Sequence, residues 1–286
     1  MKATIESKPE LSVLIATHNP AGIKRVEAMA LPEMSGVGYI VSWQQHDNAP
    51  VPHLLAIRND MRIHRSSSQG LSNNRNELLD MCNGEIALIA DDDITYSKEQ
   101  LQAIIDTFKN NPDVDYASFM YDGADKKNYP SSITCLTDRI PKGFYQSSIE
   151  IALRPKQIGN LRFNTNFGIG SKLFPCGEED IFLWTARKKK LNCVFFPITI
   201  TTHPHLSTGN KLPDFKILRA KGAVTNIYHP ISFLARIPVM AWQMKRAGKA
   251  KFFSAITNMF FGAFYIRLNP KIKSSIKTSL TSTHIT

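Results

Sequence analysis

Short apolar runs punctuate the first two hundred positions of this 286-residue chain. Each run is rich in β-branched residues and is bounded by polar, Gly or Pro positions, a pattern typical of buried strands. The pattern predicts strands at 11–17, 38–43, 85–90, 115–120 and 193–196. The first strand ends at His18-Asn19-Pro20, where the proline and the polar side chains stop the apolar run.

Helical stretches separate these strands. Helices are predicted at about 73–82, 97–110 and 178–190. Ser97 followed by Gln100 forms a capping box for the second helix, and Asn83-Gly84 provides a stop signal for the first. Because strands alternate with helices, the sequence predicts an α/β fold with a mostly parallel central sheet.

Candidate chemistry gathers where two of these strands end. Thr17 and Asn19 follow the first strand, and Asp91-Asp92-Asp93 follows the strand at 85–90. Ligands of parallel sheets bind at the carboxyl ends of the strands, so we expect these side chains to meet at one edge. Three adjacent carboxylates repel one another unless a cation or hydrogen-bond donors neutralise them. Oxygen ligands of this kind suit Mg²⁺ or Mn²⁺.

Two other interpretations of the acidic triplet are open. A solvated acidic turn that caps the following helix would also contain three acids. Asp91-x-Asp93-x-Thr95 after an apolar strand fits the opening motif of haloacid-dehalogenase-like phosphatases, in which the first Asp is a nucleophile and the second an acid. The triplet follows about ninety residues of α/β pattern instead of the first strand, which argues against a phosphatase.

Four other residues are candidates on weaker grounds. Glu179 and Asp180 open the predicted helix at 178–190, where acids are favoured by the helix dipole alone. A carboxylate at this position becomes a candidate base only beside a metal–diphosphate site. His203 is a lone histidine, a residue type that more often packs than binds metal. Arg75 is suited either to a phosphate or to a surface carboxylate.

In chain order, these motifs resemble those of the family 2 glycosyltransferases, which adopt the GT-A fold. The matching segments are VLIATHN (13–19), GLSNNRN (70–76), IADDDI (89–94), FNT (163–165), GIG (168–170), GEEDIFL (177–183) with Arg187, and FPITITTH (196–203). Each segment is short, but their order and spacing across about residues 11–205 are hard to produce by accident.

The resemblance implies an inverting, metal-dependent glycosyltransferase of the hexosyltransferase type. It implies that Asp91 and Asp93 bind Mn²⁺ or Mg²⁺ and that His203 completes the metal site. Asp180, in the Glu179-Asp180 pair, would be the general base that deprotonates a hydroxyl of a glycan or lipid-linked acceptor.

The donor site implied by the resemblance is a nucleotide-sugar pocket. Thr17 and Asn19 would line it, Arg75 would frame the base or the phosphates, and Asp92 would contact the nucleotide sugar. At residues 44–47 the sequence QQHD replaces the aspartate-rich turn that binds the nucleotide in many members. This departure leaves the base open, and UDP is the working hypothesis.

The charge of the chain is concentrated at one end. From Lys211 onward the sequence has thirteen Lys and Arg and one acid, whereas the whole chain has a net charge of +11. The remainder is therefore almost neutral. This asymmetry predicts a catalytic domain at 1–210 and a basic, helical extension at 211–286 that is attracted to an anionic partner.

The extension contains a candidate amphipathic helix at 249–268. Its apolar positions are Phe252, Ile256, Met259, Phe260, Ala263 and Ile266. An interfacial helix on an anionic membrane and a helix packed on the catalytic domain both fit this pattern. No apolar stretch reaches the ~18 residues of a membrane span. The four cysteines are scattered, which argues against a zinc site.

The expected location is the cytoplasm, because no signal-peptide pattern is present at the start of the sequence. The basic extension adds the possibility of peripheral attachment to the inner face of the membrane. A non-enzymatic nucleic-acid-binding protein is the remaining alternative. The basic residues avoid the α/β part and lack the interleaved aromatics that stack on bases, so nucleic acid is not an expected partner.

Overall fold

The computed structural model describes residues 8–123, 127–203 and 214–281. Within these residues, a mostly parallel sheet with flanking helices confirms the predicted α/β class. Its strands are β1 (Leu11–His18), β2 (Val37–Gln44), β3 (Met61–Ser66), β4 (Ile86–Asp91), β5 (Tyr116–Gly123), β6 (Thr134–Cys135), β7 (Ile151–Leu153) and β8 (Cys193–His203).

The order of the strands across the sheet is β3-β2-β1-β4-β7-β5-β8-β6. β1 pairs in parallel with both β2 and β4, β2 with β3, and β5 with β8. β7 runs antiparallel between β4 and β5, and β6 runs antiparallel to β8. The carboxyl ends of β1 and β4 therefore lie side by side.

The helices are α1 (Asn19–Ala28), α2 (His53–Ala56), α3 (Leu71–Met81), α4 (Lys98–Asn110), α5 (Pro155–Ile158), α6 (Glu178–Lys188), α7 (Phe215–Tyr228), α8 (Phe233–Arg246), α9 (Phe252–Leu268) and α10 (Pro270–Thr281). A 3₁₀ turn covers Ser148–Glu150. The capping box before α4 is confirmed, because Ser97 Oγ accepts the Gln100 N–H at 3.2 Å and Gln100 Oε1 accepts the Ser97 N–H at 2.8 Å.

The five predicted strands correspond to β1, β2, β4, β5 and β8, whereas β3, β6 and β7 were not predicted. β3 is an edge strand whose sequence, MRIHRS, alternates apolar and basic residues and therefore looks polar. β7 has only three residues. A run this short carries no periodic signal, although its position between β4 and β5 buries all of it.

The chain divides into two compact units, which do not follow the boundary predicted after residue 210. The first unit comprises Met1–Gln69, Asn74–Gly159 and Lys190–His205 and contains the whole sheet. The second comprises Gly70–Asn73, Asn160–Lys189 and Leu206–Thr286. Residues 160–189 thus cluster with the C-terminal helices, and a catalytic domain at 1–210 stays a prediction.

Close packing of α7 on α9 organises the second unit. A Cβ atom added to Gly222 would lie 1.8 Å from the Met259 carbonyl oxygen, and one added to Gly262 would lie 1.9 Å from the Arg219 carbonyl oxygen. The two backbones approach this closely only because glycine has no side chain.

The apolar face predicted for residues 249–268 is the buried face of α9. Met259 and Ala263 are fully buried, Ile266 is 4% exposed, and Phe252, Ile256 and Phe260 pack against the same apolar cluster. Most of these side chains therefore contact α7 and α8 of the same C-terminal extension, whereas the packed-helix interpretation placed the helix on the catalytic domain. In the described part of the chain, no helix has the length and apolar character needed to span a bilayer.

Candidate active site

The first unit carries an acidic edge at the carboxyl ends of β1 and β4. In the register of this pair, Ala16 lies opposite Asp91, so Thr17 at the end of β1 lies beside the acidic triplet. The predicted meeting of these two strand ends is confirmed. The three aspartates differ in their partners, and the partners decide which carboxylate is available to a ligand.

Asp92 is the most enclosed of the three acids. Arg25 of α1 donates two hydrogen bonds to it, from Nε at 3.0 Å and from a terminal nitrogen at 2.8 Å, and the Thr17 hydroxyl donates a third. Only 11% of the Asp92 side chain is accessible. A bidentate arginine–carboxylate pair is strong and directional, so Asp92 fixes the loop after β4 to α1.

Asp91 is held from one side and open on the other. A terminal nitrogen of Arg75 donates to Asp91 at 2.8 Å and to the Ser148 hydroxyl at 2.6 Å. Arg75 is 1% exposed, whereas 34% of the Asp91 side chain is accessible. The buried guanidinium therefore orients one carboxylate oxygen and leaves part of the group facing solvent.

Asp93 lies beside His203, with 3.5 Å between Asp93 Oδ1 and His203 Nε2. Backbone hydrogen bonds in both directions between Thr95 and Thr202 bring the end of β8 next to the triplet. The pKa of the Asp93 carboxyl is raised, mainly by burial; the charges of Asp91 and Asp92 also raise this pKa, whereas those of His203 and Arg25 lower it. Burial therefore disfavours the charged form of Asp93.

Thr17 and Asn19 have partners within the protein. Thr17 is 3% exposed and its hydroxyl is directed to Asp92. Asn19 adopts φ +57°, and its side-chain oxygen accepts the N–H groups of Ala21 and Gly22 at 2.9 and 3.0 Å. Both side chains shape the turn from β1 into α1. Their predicted contact with a nucleotide stays a prediction.

A buried ion pair that the sequence pattern does not predict joins Lys127 to Glu150 beside Tyr121. Lys127 Nζ is 2.5 Å from Glu150 Oε2, and both side chains are almost fully buried. The Tyr129 hydroxyl also donates to Glu150, and the Lys127 ammonium lies 5.0 Å from the centre of the Tyr121 ring. Tyr121 in turn meets the His203 ring edge-on at 6.3 Å.

The sequence held one signal for this cluster. Ser147-x-x-Glu150 is a capping box, which the structure forms at the start of the 3₁₀ turn. Nothing in the local pattern connects Glu150 to Lys127, twenty-three positions earlier. The pair links the loop after β5, which contains Lys127, to the 3₁₀ turn, which contains Glu150.

The acidic edge has the ligands for a divalent cation that binds through two carboxylates and takes its remaining ligands from a phosphate and water. Among residues 8–123, 127–203 and 214–281, no group of three or more His, Cys, Asp or Glu side chains is arranged to hold a metal ion. The side chains of Asp91 and Asp93 are 34% and 36% accessible, so both carboxylates can be reached by a ligand. Mg²⁺ commonly binds through one or two carboxylates and completes its shell with phosphate oxygens and water.

Glu179 and Asp180 belong to the second unit, in the first turn of α6. The residue before the helix, Gly177, has φ +94°, which a side chain would disfavour. The Tyr228 hydroxyl donates to the Asp180 carbonyl oxygen at 2.7 Å and ties this turn to α7. Glu179 and Asp180 are both half-buried, whereas the preceding Glu178 is 4% exposed.

Comparison with known proteins agrees with the architecture. The sequence model of Glycosyl transferase family 2 matches residues 60–172, less than half of the chain. No curated protein matches the sequence. The family 2 segment includes the acidic triplet, Arg75 and the Lys127–Glu150 pair.

Three solved structures of one S. aureus protein share the fold. TarS 1-349 in complex with UDP aligns with a TM-score of 0.58 at 14% identity, covering 95% of this chain and 89% of that one. TarS 1-349 in complex with UDP-GlcNAc gives 0.56 at 12% identity, with 95% and 79% covered. TarS itself gives 0.52 at 16% identity, with 79% of this chain but only 42% of that chain covered. The chain therefore has the α/β fold of GT-A glycosyltransferases such as TarS, with a family 2 sequence signature at residues 60–172.

Proposed function

We propose that this protein is a glycosyltransferase that moves a sugar from a nucleotide-sugar donor to a hydroxyl group of a glycan or lipid-linked acceptor. The observation that carries the proposal is the acidic edge at the ends of β1 and β4, in a fold shared with structures bound to UDP and UDP-GlcNAc. That edge is where an α/β sheet binds its ligands.

The donor is proposed to bind by its diphosphate at this edge, with UDP as the nucleotide. Asp91 and Asp93, with His203, would hold Mn²⁺ or Mg²⁺, which would supply positive charge to the departing nucleoside diphosphate. Arg75 keeps Asp91 in place through the 2.8 Å hydrogen bond. Arg25 keeps the loop after β4 in place through its hydrogen bonds to Asp92.

Transfer is proposed to occur in one displacement with inversion at the anomeric carbon. Asp180 is the general base that takes the proton of the acceptor hydroxyl, and Glu179 beside it adds to the negative potential. Support for this assignment is the resemblance of GEED at 177–180 to the acidic motif of family 2 glycosyltransferases, together with the half-buried position of Asp180. A hexose or hexose derivative is the proposed sugar.

The basic C-terminal extension supports a proposal about where the protein is located in the cell. We propose that the protein works in the cytoplasm, at the inner face of a membrane, where anionic lipid attracts residues 211–286. A lipid-linked acceptor would be presented at the same surface.

A thermal-shift screen of nucleotide sugars with MnCl₂ tests the proposal. We expect a UDP-sugar to raise the melting temperature of the wild-type protein only when a divalent cation is present, and EDTA to abolish the shift. Asp91→Asn and Asp93→Asn should each remove the shift. Asp106→Asn, at an exposed position of α4, is the matched control and should keep it.

Two outcomes contradict the proposal. If no nucleotide sugar changes the melting temperature and the protein hydrolyses phosphomonoesters in an Asp91-dependent manner, the phosphatase interpretation replaces it. If UDP-sugars bind equally well with EDTA, the role of Asp91 and Asp93 in metal binding is wrong. The fold shared with TarS favours sugar transfer over the phosphatase alternative.

A further inference from the structure

The outward face of α9 is apolar. Phe253, Phe261, Phe264 and Leu268 are 79%, 50%, 41% and 78% exposed. With Thr257, they follow one another at intervals of three or four residues, the spacing that aligns side chains along one face of a helix. This face lies opposite the one that packs on the neighbouring helices. α9 therefore carries large apolar side chains on its outward face as well as on its covered face.

The neighbouring helix α8 adds large exposed apolar residues. Leu234, Val239 and Trp242 are each between 52% and 54% exposed, and Ile231 just before the helix is 89% exposed. The side chains of Phe233 and Phe264 are in edge-on contact, so the start of α8 lies beside the end of α9. The two helices form an antiparallel hairpin, here called the α8–α9 hairpin (residues 231–268).

Exposed cations lie at both ends of the α8–α9 hairpin. Lys245, Arg246, Lys249 and Lys251 are exposed at the turn between the helices, and Arg267 is exposed at the other end. No Asp or Glu follows Asp214 in the sequence. An apolar groove of about 690 Å³ continues the surface past Leu268 to Lys271. Monomeric proteins rarely expose contiguous apolar patches of this kind, which instead mark interaction sites.

We propose that the α8–α9 hairpin docks on an anionic lipid bilayer. Phe253, Phe264 and Leu268 enter the boundary between headgroups and acyl chains, and the cations of the helix turn contact lipid phosphates. This inference rests on the membrane association proposed above and names the surface responsible, but it does not require sugar transfer. The docking face is the one opposite to the face that the sequence pattern selected.

The chemistry of the hairpin favours a bilayer over the other occupants of such a surface. A second copy of the chain would bring two clusters of Lys and Arg together, and like charges in contact repel. A nucleic acid would pair with the cations but would leave the exposed Leu268 and Ile231 without a role, because aliphatic side chains do not stack on bases. An anionic bilayer accommodates both the apolar and the cationic groups.

Vesicle co-sedimentation of the full chain tests this proposal. We expect binding to vesicles that contain phosphatidylglycerol and much weaker binding to phosphatidylcholine alone. Phe253→Ser with Leu268→Ser should lower the partition coefficient about a hundredfold, as expected for two buried apolar side chains. Lys249→Gln with Lys251→Gln should lower it roughly twenty-five-fold, at about fivefold for each lysine.

Matched controls distinguish an effect of the hairpin from a general effect of removing exposed apolar or positively charged side chains. Leu54→Ser with Ile57→Ser removes one apolar side chain of α2 and one directly after it, which are 63% and 60% exposed, and should leave vesicle binding unchanged. Lys98→Gln with Lys156→Gln, two exposed lysines outside the hairpin, should change it less than twofold. Unchanged melting temperatures of all four variants would show that the fold is intact.

Three results would overturn the inference. The first is equal vesicle binding by the hairpin variants and their controls. The second is a dimer in light scattering that Phe253→Ser with Leu268→Ser dissociates, without any binding to anionic vesicles. The third is DNA binding that depends on Lys249 and Lys251 when vesicles are not bound. Vesicle binding needs no donor, so its failure and a failure of sugar transfer are observed separately.

Discussion

Replacing Asp92 by asparagine distinguishes two roles for the middle acid of the triplet. The resemblance to family 2 implies a contact with the nucleotide sugar, whereas the structure directs the carboxylate to Arg25 and Thr17. If Asp92 holds the loop, its replacement lowers stability and affects the donor only indirectly. If Asp92 binds the donor, its replacement weakens donor binding without a matching loss of stability.

The expected loss of stability follows from the geometry of the pair. Asparagine keeps one acceptor oxygen but presents an NH₂ group to the second Arg25 donor, so at least one charged hydrogen bond is lost. Hydrogen bonds to charged groups contribute about 1.5–3 kcal/mol when buried. The Asp92 side chain is 11% accessible but that of Arg25 is 40% accessible, so solvent screens part of the interaction. We expect a loss of about 2 kcal/mol, or a melting temperature lower by roughly 4–8 °C.

The chain supplies a matched control for this measurement. Arg58 and Asp60 form a second bidentate pair, with distances of 2.8 and 2.6 Å, at the opposite end of the strands. Asp60→Asn should therefore cost a similar free energy of unfolding in urea while leaving the affinity for a UDP-sugar unchanged. Arg25→Met combined with Asp92→Asn completes a double-mutant cycle that isolates the coupling energy.

One pattern of results would refute the reasoning. If Asp92→Asn melts at the wild-type temperature and no longer binds the donor, Asp92 is a ligand for the nucleotide sugar and the pair with Arg25 is incidental. A loss of stability with donor affinity within a few-fold of wild type would support the positioning role.

Three further predictions concern the acids of the two units and the packing of α9. Asp180→Asn should lower kcat for transfer at least a thousandfold and leave donor affinity within about twofold; transfer at the wild-type rate would exclude Asp180 as base. Gly262→Ala should cost at least about 2 kcal/mol, because its Cβ would meet a carbonyl oxygen, whereas Ser254→Ala on the exposed side should be neutral in urea unfolding. Burial raises the pKa of Glu150 above 4.5, so the unfolded chain releases this proton first as the pH rises. The stability of the wild type relative to Glu150→Gln should therefore fall as the pH rises above 4.5, the ordinary pKa of this group; a flat or rising difference would contradict the raised pKa.

The parts of the fold that could be predicted are those whose signal is local. β1 and β4 are buried on both sides, so the sequence shows uninterrupted apolar runs there. The capping box before α4 lies within four residues, and its prediction is confirmed. β7 is not predicted, because a run of three apolar residues has the same sequence pattern in a buried loop as in a strand.

The parts that could not be predicted depend on partners far apart in the sequence. Arg25 meets Asp92 across sixty-seven positions, and Asn74 meets the Thr17 carbonyl across fifty-seven. The local sequence around Asp92 predicts a carboxylate that faces solvent or binds a ligand. It contains no information that Arg25 pairs with this carboxylate in the fold. In α9 the predicted apolar positions are the covered ones, but the pattern does not show how closely Gly222 and Gly262 let α7 and α9 approach.

The partners of the acidic triplet give its three carboxylates different roles. Arg25 pairs with Asp92 and Arg75 pairs with Asp91, whereas Asp93 lies 3.5 Å from His203. The negative charge of Asp93 is half-buried beside two other carboxylates, and burial is the largest cause of the raised pKa of Asp93. A divalent cation brought by a diphosphate would compensate this charge, so Asp93→Asn should weaken cation-dependent donor binding while making the free protein more stable. Asp92→Asn should have the opposite effect on the stability of the free protein, although the two residues are neighbours in the sequence.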